Sequence, residues 1–185
     1  MTEARPDSTI PGVRYGAIAR FGDTRGSFRE LWRASAYEGA PFAQANLSTS
    51  AVGVLRGLHL HRRQLDHWVL AGGRAFVALV DVRPMFLNRS AAPRVETRAL
   101  VANEWVDIPV GVAHGFLALE ALELVYLVTN EYDGSDELGF AWDDPQVGIA
   151  WPEVPGLPGG RPILSERDEA NPSLAELVAR LEVLG

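Results

Sequence analysis

Hydrophobic and polar positions alternate with a short period over most of the chain. β-branched and aromatic residues are concentrated in four stretches, which Gly, Pro, Asn and Asp interrupt at short intervals. These stretches are FAQANLSTSAVGVLRGLHLH (42–61), DHWVLAGGRAFVALVDVR (66–83), RVETRALVANEWVDIPVGVAHGFLALE (94–120) and LELVYLVTNEY (122–132). Because no long helical pattern separates them, the sequence predicts an all-β fold, a barrel or a jelly roll.

Two other stretches have patterns typical of helices. A short helix is predicted within FRELWRASAY (28–37), and a terminal helix within NPSLAELVARLEVLG (171–185). In the terminal stretch Asn171 is the candidate N-cap and Pro172 the candidate first helical residue. The apolar residues spaced to share one face of this helix are Leu174, Leu177, Val178 and Leu181.

The segment that precedes this helix has a different composition. WPEVPGLPGGRP (151–162) is rich in proline and glycine, so an irregular connection is predicted there. Residues 163–185 are then expected to pack on the barrel as a loop and a helix. Neither a linker nor a break in composition divides the 185 residues, so we expect a single domain over residues 1–185.

Composition and charge restrict the possible functions. The chain has no cysteine, which excludes disulfides, a thiolate nucleophile and cysteine-ligated zinc. We expect a cytoplasmic protein without a membrane partner, because the first residues lack an apolar signal core and no 18-residue apolar run occurs. The net charge of −7 argues against a nucleic-acid partner, so an anionic ligand would need a local cluster of arginines. All 17 basic residues are arginine.

The segment RGLHLHRRQLDHWVL (56–70) contains three of the four histidines. Because side chains alternate between the two faces of a strand, His59 and His61 share one face, and Asp66 and Trp68 share a face further along. The fourth histidine, His114, follows a proline and glycine turn in IPVGVAHGF. This clustering favours a functional cavity over isolated core histidines, either with a catalytic base or with a metal ion.

Six blocks in order resemble the dTDP-4-dehydrorhamnose 3,5-epimerase family, nucleotide-sugar enzymes with the cupin fold. FGDTRGSFRELW resembles the family's D-x-RG-x-F-x-E segment, QANLSTSAVGVLRGLH its Q-x-N-x-S-x-S and LRG-x-H core, and IPVGVAHGFLAL its P-x-G-x-AHGF block. VYLVTNEY, WDDPQVGIAWP and ILSERD resemble its later blocks. The resemblance implies a cupin-type jelly roll with short peripheral helices and a C-terminal helix.

The resemblance also implies an activity. It is the epimerisation of a 4-keto-6-deoxy sugar at carbon 3, carbon 5 or both, with the sugar linked to a nucleoside diphosphate such as dTDP. The 4-keto group acidifies the neighbouring ring hydrogens, so that a base can remove one proton and an acid can return one to the other face. His59 matches the family's base, Asp168 the carboxylate that orients it, and Tyr126 the proton donor. No cofactor is implied.

Other matching positions imply how the substrate is held. Guanidinium forks suit a diphosphate, and Arg25, Arg56 and Arg167 are the candidates. The remaining positions that match the family's pocket are Glu30, Gln44, Asn46 and His114. The family forms a homodimer by exchanging strands, which implies a homodimer in which the N-terminal strands are exchanged.

One position departs from the family. Its pocket lysine, associated with the keto oxygen, is replaced by Asp66, and a carboxylate facing a developing enolate is electrostatically unfavourable. His61 or His67 could replace the lysine as donor. Alternatively, His59, His61, Asp66 and His114 have the spacing of a metal-dependent cupin enzyme that binds a divalent transition metal. A non-catalytic relative that binds nucleotide sugars is the third possibility.

Overall fold

The computed structural model describes residues 3–4, 8–37, 39, 41–88 and 91–183, and strands dominate it. The strands are β1 (Glu3–Ala4), β2 (Arg14–Ala17), β3 (Arg20–Asp23), β4 (Gly26–Arg29), β5 (Gln44–Ser50), β6 (Leu55–Leu60), β7 (Asp66–Gly72), β8 (Arg74–Asp81), β9 (Arg94–Val101), β10 (Glu104–Ile108), β11 (Val112–Ala118), β12 (Leu122–Val128) and β13 (Leu138–Gly139). The helices are α1 (Arg83–Leu87), α2 (Glu166–Glu169) and α3 (Leu174–Val183). Within these residues, no helix is long and apolar enough to cross a membrane.

The strands form two large antiparallel sheets. The first has the order β1-β2-β10-β7-β12-β5, the second has the order β13-β6-β11-β8-β9, and β3 and β4 form a separate hairpin. Side chains from both large sheets share one buried cluster, which includes Trp68, Val106, Leu124, Leu79 and Phe116. This arrangement of two packed sheets confirms the predicted all-β jelly roll of the cupin type.

The C-terminal segment covers the outer face of the second sheet. Its predicted apolar face is buried there against Leu58 and Leu60 of β6, together with Phe140. The residues of α3 that form this face are Leu174, Leu177, Val178 and Leu181. The packing of these α3 residues is in line with the predicted position of the segment against the barrel, while residues 184 and 185 of the predicted range lie outside the described residues.

The start of α3 differs from the prediction. The Ser173 hydroxyl accepts a hydrogen bond from the Glu176 amide, and the Glu176 carboxylate accepts one from the Ser173 amide. This reciprocal pair is a capping box, so Ser173 and not Asn171 begins the helix, and Pro172 lies outside it. Residues 151–162 are irregular as predicted, with one 3-10 turn at Pro158–Gly160.

The prediction of a helix within residues 28–37 was wrong. Residues up to Arg29 belong to β4, in which Phe28 pairs with Phe21 of β3, and the only helical part is a 3-10 turn at Ala34–Ala36. Pairing with β3 satisfies the backbone hydrogen-bonding groups of β4. The pattern of residues within 28–37 does not show this pairing, because it involves a different strand.

Candidate active site

A cavity of about 500 Å³ opens between the two sheets. Residues from both sheets and from the segment before α3 line it. Most of the predicted site residues are among them, and these are Gln44, Asn46, Arg56, His59, His61, His114, Tyr126, Arg167 and Asp168. A cavity with a few converging polar groups is the usual form of a small-molecule site.

The second sheet positions two of the histidines. His59 on β6 pairs across the sheet with His114 on β11, and their ring centroids are 6.5 Å apart. Gly57 permits this close approach, because a Cβ atom there would lie 2.6 Å from the Gly115 Cα atom. The pairing shifts by one residue beyond Gly57, so that Arg56 also lies on the cavity side, opposite Phe116.

A carboxylate holds the His59 ring. The His59 Nε2 atom lies 2.8 Å from Oδ1 of Asp168, whose side chain is buried. The Ser165 hydroxyl accepts a hydrogen bond from the Asp168 amide and thereby caps α2, which carries Asp168 toward β6. Burial raises the pKa of Asp168. The hydrogen bonds from His59 and the Gly57 amide lower the pKa by more than burial raises it, so the pKa of Asp168 lies below its ordinary value.

This contact determines which nitrogen of His59 can act as a base. An ionised carboxylate only accepts hydrogen bonds, so Nε2 carries the proton that it donates to Asp168. In the neutral imidazole the Nδ1 atom then has the free lone pair. The arrangement is that of a general base held in one tautomer by a carboxylate.

Tyr126 reaches the same cavity from the other sheet. It lies on β12, where it pairs with Trp68 of β7 and Asn46 of β5. Burial, reinforced by the charge of Asp66, raises the pKa of Tyr126 above its ordinary value. The phenol therefore keeps its proton near neutral pH and can donate it.

A second cluster consists of His61, Asp66 and His114. The Nε2 atom of His61 lies 4.0 Å from Oδ1 of Asp66, and that of His114 lies 3.6 Å from Oδ2. Burial lowers the pKa of His114 to about 4, despite the attraction of Asp66, so this imidazole is neutral near pH 7.

The predicted metal ligands do not all come together. The potential ligand atoms of His61, Asp66 and His114 lie within 4.8 Å of one another. His59 was predicted as a fourth ligand, but its Nε2 atom is hydrogen-bonded to Asp168 and it is not part of this cluster. The β6 strand therefore presents His59 and His61 to two different carboxylates.

Polar groups that suit a nucleotide line the cavity. Arg56 donates to the Ser50 hydroxyl, and Arg167 forms an ion pair with Glu137. Gln44 donates to Asn46 at 2.8 Å, which places two amides side by side on β5. These groups form the candidate surface for the diphosphate and the base.

His67 does not belong to the cavity, which corrects its prediction as a substrate-binding residue. It lies on the other face of β7 and bonds Asp107 at 2.6 Å, and Arg14 contacts the same carboxylate. The reason is strand parity, since Asp66 and Trp68 point into the barrel and His67 between them points out.

Arg25 and Glu30 also lie outside the cavity of their own chain. Arg25 is in the β3–β4 turn, where its exposed side chain forms an ion pair with Asp23. Glu30 follows β4 and pairs with Arg33. Their hairpin stands apart from both large sheets, so this protomer does not bring them to His59.

Several groups that orient the site were not predicted. Asp66 accepts hydrogen bonds from Gln64 at 2.8 Å and from the Trp68 indole at 3.1 Å, while the carbonyl of Asp136 accepts one from His61. Ser165 had a recognisable signal, because serine three residues before aspartate is a capping pattern. The contact between His61 and Asp136 had no such signal in the sequence, because the two residues are far apart along the chain.

Comparisons with known proteins agree with this geometry. A family model described as dTDP-4-dehydrorhamnose 3,5-epimerase matches residues 7–176. The chain belongs to the dTDP-4-dehydrorhamnose 3,5-epimerase family. The epimerase of Escherichia coli (strain K12) is 38% identical over 173 residues, which cover 89% of this chain and 90% of that protein.

Solved epimerase structures share the fold. The rmlC epimerase of Mycobacterium tuberculosis matches with a TM-score of 0.83 and 30% identity, covering 96% of this chain and 91% of that one. The dTDP-6-deoxy-D-glucose-3,5-epimerase of Legionella pneumophila, in complex with dTDP-4-keto-L-rhamnose, has a TM-score of 0.83 and 28% identity, covering 98% and 97%. ChmJ, a 3'-monoepimerase from Streptomyces bikiniensis in complex with dTDP-quinovose, has a TM-score of 0.79 and 30% identity, covering 95% and 90%.

Membership of this epimerase family decides between the functions considered above. The relatives are named dTDP-4-dehydrorhamnose 3,5-epimerase, and ChmJ is named a 3'-monoepimerase. A metal-dependent cupin enzyme with an unrelated substrate and a non-catalytic relative are not favoured.

Proposed function

We propose that this protein epimerises a 4-keto-6-deoxy sugar linked to a nucleoside diphosphate, at carbon 3, carbon 5 or both. The observation that carries the proposal is the arrangement of three side chains. His59, held by Asp168, projects from one sheet, and Tyr126 projects from the facing sheet into the same cavity. A sugar ring between them has a base on one side and an acid on the other.

The reaction follows from the protonation states. The lone pair on Nδ1 of His59 takes a proton from a ring carbon next to the keto group, and the electrons of that C–H bond move onto the keto oxygen. Tyr126 then returns a proton to the opposite face of the carbon, which inverts it. Asp168 stabilises the imidazolium that forms in between.

The nucleotide is proposed to be dTDP. Structural neighbours are described in complex with dTDP-linked sugars or with TDP. Arg56 and Arg167 supply guanidinium groups at the cavity, which a protein with a net charge of −7 needs in order to hold a diphosphate.

The binding site is proposed to be completed by a second copy of the chain. Arg25 and Glu30 match the family's substrate contacts, yet they lie on an exposed hairpin away from their own cavity. In a homodimer that exchanges these strands, each hairpin would reach the cavity of its partner. Cytoplasmic location and organisation as one domain stay predictions from the sequence.

Solvent exchange tests the proposed function. Incubated in D₂O with dTDP-4-keto-6-deoxyglucose, the protein should incorporate deuterium at carbon 3, carbon 5 or both, detected by NMR and mass spectrometry. His59→Ala should slow exchange by about 10²- to 10⁴-fold, the usual contribution of a general base.

The matched control is His67→Ala, which removes a buried histidine from the other face of the neighbouring sheet. We expect this variant to retain exchange. Exchange at the wild-type rate in His59→Ala would assign the base to another residue.

A further inference from the structure

The cluster of His61, Asp66 and His114 is not used by the base or the acid of the proposed reaction. Asp66 is buried, with 4% of its surface exposed. Among the described residues, Asp66 forms ion-pair contacts with His61 and His114 alone, at 4.0 and 3.6 Å. A buried carboxylate without a close cation is costly, so this cluster has a charge to be balanced.

Hydrogen bonds determine the tautomers of both histidines. The Nδ1 atom of His61 lies 2.8 Å from the carbonyl oxygen of Asp136, and that of His114 lies 3.2 Å from the carbonyl oxygen of Val112. Because a carbonyl only accepts, each Nδ1 carries a proton. In the neutral rings, the lone pair is therefore on Nε2, the atom through which each ring contacts Asp66.

The separations do not fit direct hydrogen bonds. Contacts of 3.6 and 4.0 Å exceed the usual range of about 2.7–3.2 Å for N–H···O bonds. They fit two ligands of one ion, since metal bonds of about 2.0–2.2 Å place neighbouring ligand atoms roughly 3–4 Å apart. All three ligand atoms lie within 4.8 Å of one another, so side-chain shifts of about 1 Å would close the set.

The surrounding groups hold the cluster as outer contacts hold the ligands of a metal. Each oxygen of Asp66 accepts one hydrogen bond from a neutral donor, Gln64 to Oδ1 and the Trp68 indole to Oδ2. Backbone carbonyls hold the two imidazoles through Nδ1. Such contacts fix the orientation of ligating side chains and leave the metal-facing atoms available.

We propose that His61, Asp66 and His114 bind one divalent first-row transition-metal ion on the wall of the cavity. Two imidazoles and a carboxylate are a donor set that suits Zn(II), Fe(II), Mn(II) or Co(II). All three residues line the cavity, so the coordination positions that they leave open face the substrate space.

The ion has a role if the proposed function is correct, and this part rests on it. When His59 takes the ring proton, the electrons of the C–H bond shift to the keto oxygen, which becomes an enolate. A divalent ion bound to that oxygen stabilises the charge as a Lewis acid. It supplies the positive charge that Asp66, placed at the family's lysine position, cannot.

Metal binding is tested first without any substrate. The full chain, prepared without a histidine tag and treated with a chelator, is titrated with Co(II) and followed by calorimetry and visible absorption. We expect one ion per chain. The NMR spectrum of the Co(II) form should show two exchangeable, hyperfine-shifted signals, from the Nδ1–H groups of His61 and His114.

Variants locate the site. His61→Gln and Asp66→Asn should each weaken Co(II) binding by about 100-fold or more, since loss of an outer contact alone costs 10- to 100-fold. His67→Gln, a buried histidine on the other face of β7, should leave the affinity unchanged. The absence of saturable binding, binding that both ligand variants retain, or a spectrum without the two shifted signals would overturn the proposal.

Deuterium exchange separates this proposal from the proposed function. If the metal-stripped protein loses exchange and Co(II) or Zn(II) restores it, both are supported. Full exchange in the stripped protein overturns the role of the ion and leaves the epimerase intact. If Co(II) binding depends on His61 and Asp66 but neither the stripped nor the metal-loaded protein exchanges deuterium, the metal site is supported and the epimerase function is overturned.

Discussion

At the scale of single residues, the site depends on which partner each titratable group has. His59 and His61 lie two positions apart on one strand, yet one bonds a carboxylate of α2 and the other a backbone carbonyl beyond β12. Residue type and spacing were enough to select both histidines. Their separate roles follow from partners that are distant in the sequence.

Tyr126→Phe tests the assignment of the proton donor. The variant should retain proton removal by His59, so deuterium exchange should persist, while the yield of inverted product should fall by about 10²-fold or more. Chiral analysis of the product sugar by NMR measures the two steps separately. Equal loss of exchange and inversion would contradict the assignment.

The pH dependence of inversion is a second test of Tyr126 as the proton donor. Its pKa is raised by burial, and a raised pKa means that the phenol stays protonated to higher pH than free tyrosine. Inversion by the wild-type protein should therefore not decline on the alkaline side up to about pH 10, the ordinary pKa of tyrosine. A decline near pH 8 in rate measurements would contradict this role.

At the scale of elements, a peripheral helix holds a catalytic carboxylate in place. α2 is only four residues long, and the segment after it is held by α3 and by the buried Asp144, which accepts a hydrogen bond from the Leu174 amide at 2.7 Å. Leu174 is fully buried against the second sheet. The packing of α3 therefore supports the position of Asp168 indirectly.

Leu174→Ala should lower the free energy of unfolding by about 2–5 kcal/mol, because it leaves a cavity between α3 and the sheet. Urea denaturation measures the effect. Leu87→Ala is the matched control, since Leu87 is 91% exposed, and it should change the stability by no more than about 0.5 kcal/mol. Equal effects in the two variants would show that α3 contributes little to the stability of the barrel.

At the scale of the whole molecule, the hairpin of β3 and β4 is the feature that one chain does not account for. It presents Phe21 and Phe28, exposed to 63% and 67%, on strands that pair only with each other among the described elements. Exposed aromatic residues of this kind are typical of an interaction surface. The proposed exchange of strands in a homodimer would cover them.

Replacing Phe21 and Phe28 together by serine should produce a monomer with weakened dTDP binding, because the partner's cavity would lose the hairpin. Sedimentation measures the oligomeric state, and calorimetry measures the affinity for dTDP.

Arg25→Ala should leave the dimer intact but weaken dTDP binding, by an amount that diminishes as salt rises. Unchanged affinity in a dimeric Arg25→Ala would place this arginine outside the binding site.

The sequence alone determined the features that depend on local pattern and on ordered motifs. Alternation of apolar positions is a property of each strand, so the all-β fold was predictable, and so was the shared face of His59 and His61. The same alternation would have placed His67 on the outer face, but its nearness to Asp66 in the sequence favoured the cavity. The apolar face of α3 was predictable for the same local reason.

Only the tertiary structure decided the features that depend on contacts between distant segments. Pairing with β3 turned the predicted helix near residue 28 into a strand, and the fold placed Asp66 between His61 and His114 rather than beside His59. It also carried Arg25 away from its own cavity. A periodic pattern records which face a residue takes, whereas its partner across the barrel is set by the packing of both sheets, which no short stretch of sequence contains.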